Sequence, residues 1–122
     1  MKKVILIVED EALNMELVRD VLQVSGYTTL EAVDGKQGVE LARERKPDLI
    51  LMDIRMPVMD GLEATRILKA DSGTRDIPIV ALTSYAMKED KEKITQAGCD
   101  GYLTKPISIK DLQEKVLEYL SK

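Results

Sequence analysis

Acidic side chains stand at the ends of two strongly apolar segments of the sequence. Glu9 and Asp10 follow Val4–Val8, and Asp53 follows Leu49–Met52. If both segments are parallel β-strands, these carboxylates meet at one edge of the sheet, where open α/β sheets bind their ligands. Like charges about 4 Å apart repel by roughly 4 kcal/mol at an effective dielectric near 20. The carboxylates therefore need a positive partner, and oxygen ligands without His or paired Cys suit a hydrated Mg²⁺ ion.

Two further polar groups are expected at the same edge of the sheet. Thr83 and Ser84 follow the apolar segment Ile79–Leu82, and Lys105 follows Gly101–Thr104. A carboxylate nucleophile, a divalent cation, a hydroxyl and an ammonium are the groups that phosphoryl transfer needs, because its demands are positioning and charge neutralisation. Since an aspartate can be the nucleophile, the sequence favours chemistry through an aspartyl phosphate.

The composition excludes several other kinds of chemistry. The chain has 122 residues, no His, one Cys and a net charge of −4. Without His, serine-hydrolase triads and His-bearing zinc sites are impossible, and the negative charge argues against binding of nucleic acid or of an anionic membrane. Cys99 has no partner for an internal disulfide, and the apolar run after Met1-Lys2-Lys3 is too short for a signal peptide or membrane span. We expect one cytoplasmic domain over residues 1–122.

Five strands alternating with five helices are predicted. The three apolar runs lack alternation, which is typical of central parallel strands covered on both faces, whereas Thr28–Ala32 and Gly101–Thr104 are typical of edge strands. Right-handed crossovers then give an α/β fold, a doubly wound (βα)5 parallel sheet with flavodoxin-like strand order 2-1-3-4-5. The predicted helices are Ala12–Val24, Lys36–Arg45, Leu62–Ala70, Met87–Ala97 and Ser108–Leu120, the last with a capping signature at its start.

Two of these helices differ in how much apolar sequence can hold them to the sheet. The first has a stripe at three- and four-residue spacing that we expect to face the sheet, widened by three more apolar residues. The stripe is Leu13, Leu17, Val21 and Val24, with Met15, Val18 and Leu22 beside it. In the fourth helix, Lys88–Lys93 is entirely polar, and the main apolar anchors are Met87, Ile94 and Ala97. The fourth helix should therefore be the most loosely held.

Four motifs, taken with their joint spacing, resemble the receiver domain of two-component response regulators. They are Val8-Glu9-Asp10, Leu51–Gly61 (LMDIRMPVMDG), Ala81–Ser84 (ALTS) and Gly101–Pro106 (GYLTKP). The resemblance covers essentially the whole chain. Because we expect no output domain, and because Glu9-Asp10-Glu11 is followed by Asn14, the chain is similar to stand-alone receivers of the DivK type.

The resemblance implies an acceptor and a set of metal ligands. It implies that Asp53 is the phosphoacceptor and a metal ligand, that Asp10 binds Mg²⁺ directly and that Glu9 binds it through water. The backbone carbonyl of Arg55 is implied as another ligand. The sequence departs from the commonest pattern at Glu9, where Asp is usual, and at Arg55 and Tyr85, two positions that tune how long the phosphoryl group persists in this family.

The resemblance also implies the groups that respond to the phosphoryl group. Thr83 is implied as the hydroxyl that hydrogen-bonds it and Lys105 as its counter-charge, with a cis peptide bond between Lys105 and Pro106. Tyr102 matches the aromatic residue of the family's switch, which turns inward when Thr83 moves. Ser84 matches a position that is kept small so that phosphodonors can enter.

These features predict a phosphorylation switch that works through protein contacts. A histidine kinase or a histidine phosphotransfer protein is expected to donate to Asp53, and the added charge draws Thr83 and Lys105 inward. The face formed by the fourth helix, fifth strand and fifth helix then changes its affinity for a downstream protein. The chain is expected to be a signalling protein that assists its own phosphorylation and dephosphorylation rather than an enzyme, with no direct binding to DNA and no membrane insertion.

Three other functions are weighed against this hypothesis. A pseudo-receiver would signal through contacts alone. A phosphohydrolase similar to haloacid-dehalogenase enzymes would also form an aspartyl phosphate, but it needs a second acid where Arg55 stands. A flavin binder would need a phosphate-binding loop where Glu9-Asp10-Glu11 would repel a phosphate.

Overall fold

A computed structural model describes residues 2–84 and 88–121 and shows a five-stranded parallel sheet between two layers of helices. The strand order is β2-β1-β3-β4-β5, which confirms the predicted doubly wound fold. The strands are β1 Val4–Val8, β2 Thr28–Ala32, β3 Leu49–Asp53, β4 Ile79–Thr83 and β5 Gly101–Thr104. The helices are α1 Ala12–Val24, α2 Gly35–Arg45, α3 Gly61–Ala70, α4 Lys88–Ala97 and α5 Ile109–Leu120.

The apolar strands bury side chains on both faces of the sheet. In β1, Ile5 and Ile7 pack in one core with α1 and α5, whereas Leu6 and Val8 pack in a second core with α2 and α3. Every residue of β3 is buried, as is every residue of β4. Burial on both faces explains why these segments show no polar alternation, and it fixes the strand ends that carry the site.

The buried face of α1 differs from the predicted one. The residues buried against the sheet are Met15, Val18 and Leu22. The predicted stripe is wrong at three positions, because Leu13, Leu17 and Val24 are exposed. Both sets of residues have helical spacing, so the spacing alone favours neither face. Leu13 is 81% exposed and lies in the first turn of the helix, directly after the carboxyl end of β1.

Short polar side chains fix where three helices begin. Asp34, Asp60 and Ser108 precede α2, α3 and α5, and each accepts a hydrogen bond from the backbone N–H three residues later. These bonds satisfy amide donors that the first turn of a helix leaves unpaired, typically worth about 1 kcal/mol each. The predicted cap at Ser108 is confirmed, while α2 and α3 begin one residue earlier than predicted, at Gly35 and Gly61.

The helix α4 has few buried side chains. The described part of the helix begins at Lys88, so the predicted anchor Met87 lies outside the described residues. Of the residues in α4, Ile94 and Ala97 are buried. None of the helices in residues 2–84 and 88–121 is long and apolar enough to span a membrane.

Lys69 lies at the amino ends of the strands, at the edge of the sheet opposite to the acidic residues. The ammonium of Lys69 donates to the carbonyl oxygens of Arg75 and Ile77 at 3.1 and 2.9 Å and to Asp100 Oδ2 at 3.0 Å. The same carboxylate oxygen of Asp100 accepts the N–H of Ile79 at 2.8 Å. Lys69 therefore joins α3 to the starts of β4 and β5.

Candidate functional site

The carboxylates predicted from the sequence lie together at the carboxyl edge of the sheet. β1 and β3 are neighbours, and their register places Val8 beside Met52, so Glu9 and Asp53 follow at adjacent positions. Glu9, Asp10 and Asp53 each offer an oxygen atom, and these atoms all lie within 4.8 Å of one another. Glu9 and Asp53 are 1% and 4% exposed, whereas Asp10 is exposed. Carboxylates buried this close repel one another, so they are stabilised by a nearby cation or by uptake of a proton.

Lys105 supplies one positive charge to this cluster. Its ammonium nitrogen lies 3.1 Å from Asp53 Oδ2 and 2.9 Å from Glu9 Oε1. The Lys105–Pro106 peptide bond is cis, and the N–H of Lys105 donates to the carbonyl of Thr83 at 2.7 Å. The side chain is 13% exposed, so these ion pairs are largely removed from solvent.

One charge does not balance the buried acids. Burial and the neighbouring carboxylate of Asp53 raise the pKa of Glu9, and the ammonium of Lys105 only partly opposes them. Burial lowers the pKa of Lys105, but its contacts with Glu9 and Asp53 outweigh burial and raise that pKa overall. The Lys105 ammonium forms an ion pair with Glu9 Oε1, but among the described residues this buried oxygen has no hydrogen-bond partner. The site therefore has an excess of negative charge that a second cation would neutralise.

A small cavity opens beside the Asp53 carboxylate. Its volume is about 170 Å³. The lining residues are Glu11, Asp53, Ile54, Arg55, Thr83, Ser84 and Lys105. The structure thus brings Thr83, Ser84 and Lys105 to Asp53, as the positions of the strand ends predict, and the hydroxyl-bearing Thr83 is 4% exposed. Residues that carry an ammonium, two hydroxyl groups and two carboxylates therefore surround one small opening.

Glu9, Asp10 and Tyr102, which are predicted to belong to the site, do not line this cavity. Asp10 lines a neighbouring depression with Glu16 and Arg19, although it stays within reach of the acidic cluster. The ring of Tyr102 instead lies under the ammonium of Lys91, 5.3 Å from ring centre to nitrogen. Tyr85 falls outside the described residues.

Two contributors to the site carry no predicted role. Glu11 lines the cavity, and its Oε1 lies 3.9 Å from the ammonium of Lys105. Gly61 allows α3 to begin directly beside Asp53, because a Cβ atom at position 61 would overlap the carbonyl oxygen of Asp53. The sequence signal for Gly61 was the Asp60-Gly61 pair, in which a capping residue stands before a glycine.

The loop between β3 and α3 is held in an unusual conformation. Val58 has a φ of 70°, a left-handed value that is strained for a β-branched residue, and its side chain is 80% exposed. The N–H of Met59 donates to the carbonyl of Pro57 at 2.8 Å, which makes a three-residue turn around Val58. The carbonyl of Met59 then accepts the N–H of Gly35 at 3.1 Å, so the turn is joined to the start of α2.

The sequence of the chain also matches the model of a known protein family. Residues 5–117 match the model of the response regulator receiver domain. This chain belongs to the response regulator receiver family. It is 49% identical over 120 residues to the polar-differentiation response regulator DivK of Brucella anthropi and equally similar to DivK of Brucella ovis, with 98% of each chain covered.

Solved receiver structures have the same fold. The receiver domain of a sensor histidine kinase from Pseudomonas aeruginosa, which has a magnesium ion coordinated in its active-site cleft, superposes with a TM-score of 0.93 at 38% identity over all of both chains. The receiver domain of the Saccharomyces cerevisiae response regulator Ssk1, solved with the histidine phosphotransfer protein Ypd1, gives 0.89 at 30% identity over 97% of this chain and 88% of that one. The chemotaxis protein CheY4 of Vibrio cholerae gives 0.92 at 28% identity over 98% and 99%.

The receiver's acidic cluster fits a hard divalent cation. Glu9, Asp10 and Asp53 offer carboxylate oxygens only, which is the donor set that Mg²⁺ prefers. The buried oxygen of Glu9 that has no hydrogen-bond partner among the described residues is the kind of atom that a water of a hydrated cation satisfies. Receiver membership also makes the chain a signalling protein of two-component systems, whose members work with histidine kinases or phosphotransfer proteins.

Proposed function

We propose that this receiver accepts a phosphoryl group on Asp53 from the phosphohistidine of a histidine kinase or histidine phosphotransfer protein. The observation that carries the proposal is the placement of the Asp53 carboxylate. It lies 3.1 Å from the Lys105 ammonium, within the acidic cluster, and it lines an opening to solvent of about 170 Å³. The carboxylate thus lies at an opening through which a phosphodonor can reach it, and the Lys105 ammonium offsets part of its charge.

The transfer is a displacement at phosphorus. A carboxylate oxygen of Asp53 forms a bond to phosphorus as the bond from phosphorus to the donor's imidazole nitrogen breaks, and the imidazole keeps that electron pair. Lys105 neutralises charge on the transferred oxygens, and the Thr83 hydroxyl donates a hydrogen bond to one of them. The N–H of Arg55, which donates to Asp53 Oδ1 at 3.3 Å, holds the carboxylate in orientation.

Mg²⁺ is proposed as the resident cation of this site. Asp10, Asp53 and the backbone carbonyl of Arg55 would hold it directly, and Glu9 through water. Bound there, the ion supplies positive charge that stabilises the developing negative charge of the transfer. The fit of the acidic cluster to a hard cation supports this assignment.

The output of the phosphorylated receiver is proposed to be a change of contact surface. Thr83 moves toward the phosphoryl group, Tyr102 turns inward, and the face formed by α4, β5 and α5 changes its affinity for a downstream protein. The sparse burial of α4 supports this, since a helix held by few side chains can shift at low cost. We also propose that residues 1–122 act as one receiver domain, which the match to DivK over 98% of each chain supports. A cytoplasmic location stays a prediction.

Intact-mass measurement tests the proposed acceptor. Incubation with acetyl phosphate and Mg²⁺ is expected to add one phosphoryl group to the wild-type protein and none to Asp53→Asn. Asp48→Asn is a matched control, because Asp48 also lies beside β3 but at the opposite end of the strand, where its carboxylate accepts the N–H of Val4. An equal gain of mass in Asp53→Asn would contradict the proposal by placing the acceptor elsewhere. No gain in the wild type would contradict it and favour a pseudo-receiver.

A further inference from the structure

A groove of about 480 Å³ lies between the outer edge of β5 and α5. β5 is an edge strand of the sheet and pairs with β4 on its inner side. On the outer side of an edge strand, alternate backbone N–H and C=O groups point away from the sheet and can pair with another extended segment. Tyr119 marks one end of the groove, where its hydroxyl lies against Gly101 and donates to the carbonyl of Asp100 at 2.7 Å.

The walls of this groove are mainly acidic. Four carboxylates and one ammonium line it, namely Asp100, Asp111, Glu114, Glu118 and Lys115. They are arranged along α5, since Asp111, Glu114 and Glu118 are three and four residues apart and therefore share one face of the helix. The groove thus places a row of negative charge parallel to an open strand edge.

The groove lining keeps a net negative charge, although Lys115 is part of the lining and the ammonium of Lys91 lies over the ring of Tyr102. Asp100 is paired with Lys69 at 3.0 Å, so it adds little to the field. Glu114 lies 4.0 Å from Lys110, but these side chains are 66% and 82% exposed, and solvent screens such a pair strongly. Burial is the largest cause of the raised pKa of the Tyr119 hydroxyl at one end of the groove, and the charges of Glu118 and Asp100 add to it.

We propose that this groove binds an extended cationic segment of a partner protein, which adds to β5 as a sixth strand and directs alternate Arg or Lys side chains toward the carboxylates of α5. The groove is part of the output face of α4, β5 and α5 proposed above. A role of this groove in signalling rests on that proposed function. Backbone pairing supplies affinity, and the period of two in a strand matches cations on one side of the segment to the acidic row. The partner is therefore recognised by its charge pattern and its extended shape.

The sign of the charge argues against two other occupants. A second copy of this chain that paired β5 with β5 would bring two acidic rows together, because a two-fold interface places the same surface on both sides. Nucleic acid would carry phosphates against the same carboxylates. A cationic peptide is the occupant whose charge complements the groove.

Fluorescence anisotropy with a labelled peptide of alternating Arg and Thr tests the proposal on the unphosphorylated full chain. We expect saturable binding that weakens with added salt and that falls at least about tenfold in Glu114→Lys/Glu118→Lys. The matched control is Glu40→Lys/Glu44→Lys on α2, which has the same four-residue spacing and exposed side chains, and which should bind as the wild type does. A second peptide with Pro in place of Thr keeps the charge but removes backbone donors, and it should bind several-fold more weakly.

Each of the other outcomes overturns the inference. Equal loss in the two double variants would mean non-specific attraction to net charge, and equal binding of the Pro peptide would mean that no strand is added. Self-association of the wild type that Glu114→Lys/Glu118→Lys abolishes, measured by sedimentation, would assign the groove to a second copy. Because the peptide assay needs no phosphoryl group, its failure leaves the mass gain at Asp53 unaffected, and failure of the mass gain leaves peptide binding unaffected.

Discussion

At the scale of single residues, the burial of Glu9 is unfavourable for the stability of the fold, but it places a carboxylate where a cation can bind. Its carboxylate is buried, adjoins Asp53 and has an oxygen without a hydrogen-bond partner among the described residues. The position of Glu9 at a strand end was predictable from the sequence. The unsatisfied oxygen was not, because it depends on how Lys105 reaches the carboxylate from another strand.

We expect Glu9→Gln to be more stable than the wild type in Mg²⁺-free buffer at neutral pH. The pKa of Glu9 in the folded protein lies above its ordinary value of 4.5. Its contribution to the free energy of unfolding is therefore fully present below pH 4.5 and is lost as pH rises through the folded-state pKa. Gln is neutral at every pH, so the difference in free energy of unfolding between the variant and the wild type should grow as pH rises from 4.5 through the folded-state pKa. Urea unfolding followed by circular dichroism measures it, with Glu44→Gln as an exposed control that should show no such growth.

Val58 gives a second prediction at this scale. Its left-handed backbone conformation is costly for a β-branched side chain and is tolerated well by Asn. Val58→Asn is therefore expected to raise the free energy of unfolding by about 1 kcal/mol. Val33→Asn is the matched control, since Val33 is also an exposed valine in a loop but is not among the residues with positive φ. Equal gains in both variants would show that strain at Val58 is not the cause.

At the scale of elements, α1 shows the limit of sequence periodicity. Strand order and most helix boundaries follow from apolar runs and capping residues, and the structure confirms them. The strands β3 and β4 each extend one residue further than their apolar runs, to Asp53 and Thr83. In α1, however, apolar residues with helical spacing cover two faces. Which face is buried depends on the side chains that β1 and β3 present, and these bury Met15, Val18 and Leu22. The exposed Leu13 is left beside the acidic cluster.

Three exposed apolar side chains follow strands of the sheet at its carboxyl edge, and this leads to a prediction about the phosphodonor. Leu13, Val33 and Val58 follow the carboxyl ends of β1, β2 and β3, and they are 81%, 52% and 80% exposed. A donor protein that reaches Asp53 must cover these side chains. Leu13→Asn is expected to slow transfer from a phosphorylated histidine phosphotransfer protein by about tenfold and to leave transfer from acetyl phosphate unchanged.

The control for this experiment lies on the same helix. Val24 is 89% exposed at the far end of α1, so Val24→Asn should leave both transfer rates unchanged. Radiolabelled phosphoryl transfer measured at early times separates the two donors. If Leu13→Asn slowed both reactions equally, its effect would lie in the site itself rather than in docking.

At the scale of the whole molecule, the two cores stabilise the fold and the acidic edge of the sheet destabilises it. Each core packs one face of the sheet, and together they fix β1, β3 and β4. The acidic edge opposes folding, because it collects buried carboxylates that one lysine does not balance. A cation bound at that edge should therefore stabilise the entire fold.

Mg²⁺ is expected to raise the midpoint of thermal unfolding of the wild-type protein. At a free concentration ten times Kd, binding to the native state adds about 1.4 kcal/mol. Asp10→Asn should lose this gain, whereas Asp76→Asn, which changes an exposed acid outside the cluster, should keep it. Differential scanning calorimetry with NaCl at matched ionic strength separates specific binding from screening. A gain that survived in Asp10→Asn would place the ion elsewhere.

Two lysines lie among oxygen atoms at opposite ends of the sheet. In covalent footprinting, one of them can serve as an internal reference for the other. Lys69 and Lys105 have side chains that are 20% and 13% exposed, and oxygen atoms lie close to the nitrogen of each. Acylation by an amine-selective reagent requires a free, accessible amine, so both should react slowly. Occupancy of the acidic edge changes the surroundings of Lys105 alone. The ratio of their acylation rates, read from one digest, would therefore report the state of the site independently of reagent dose.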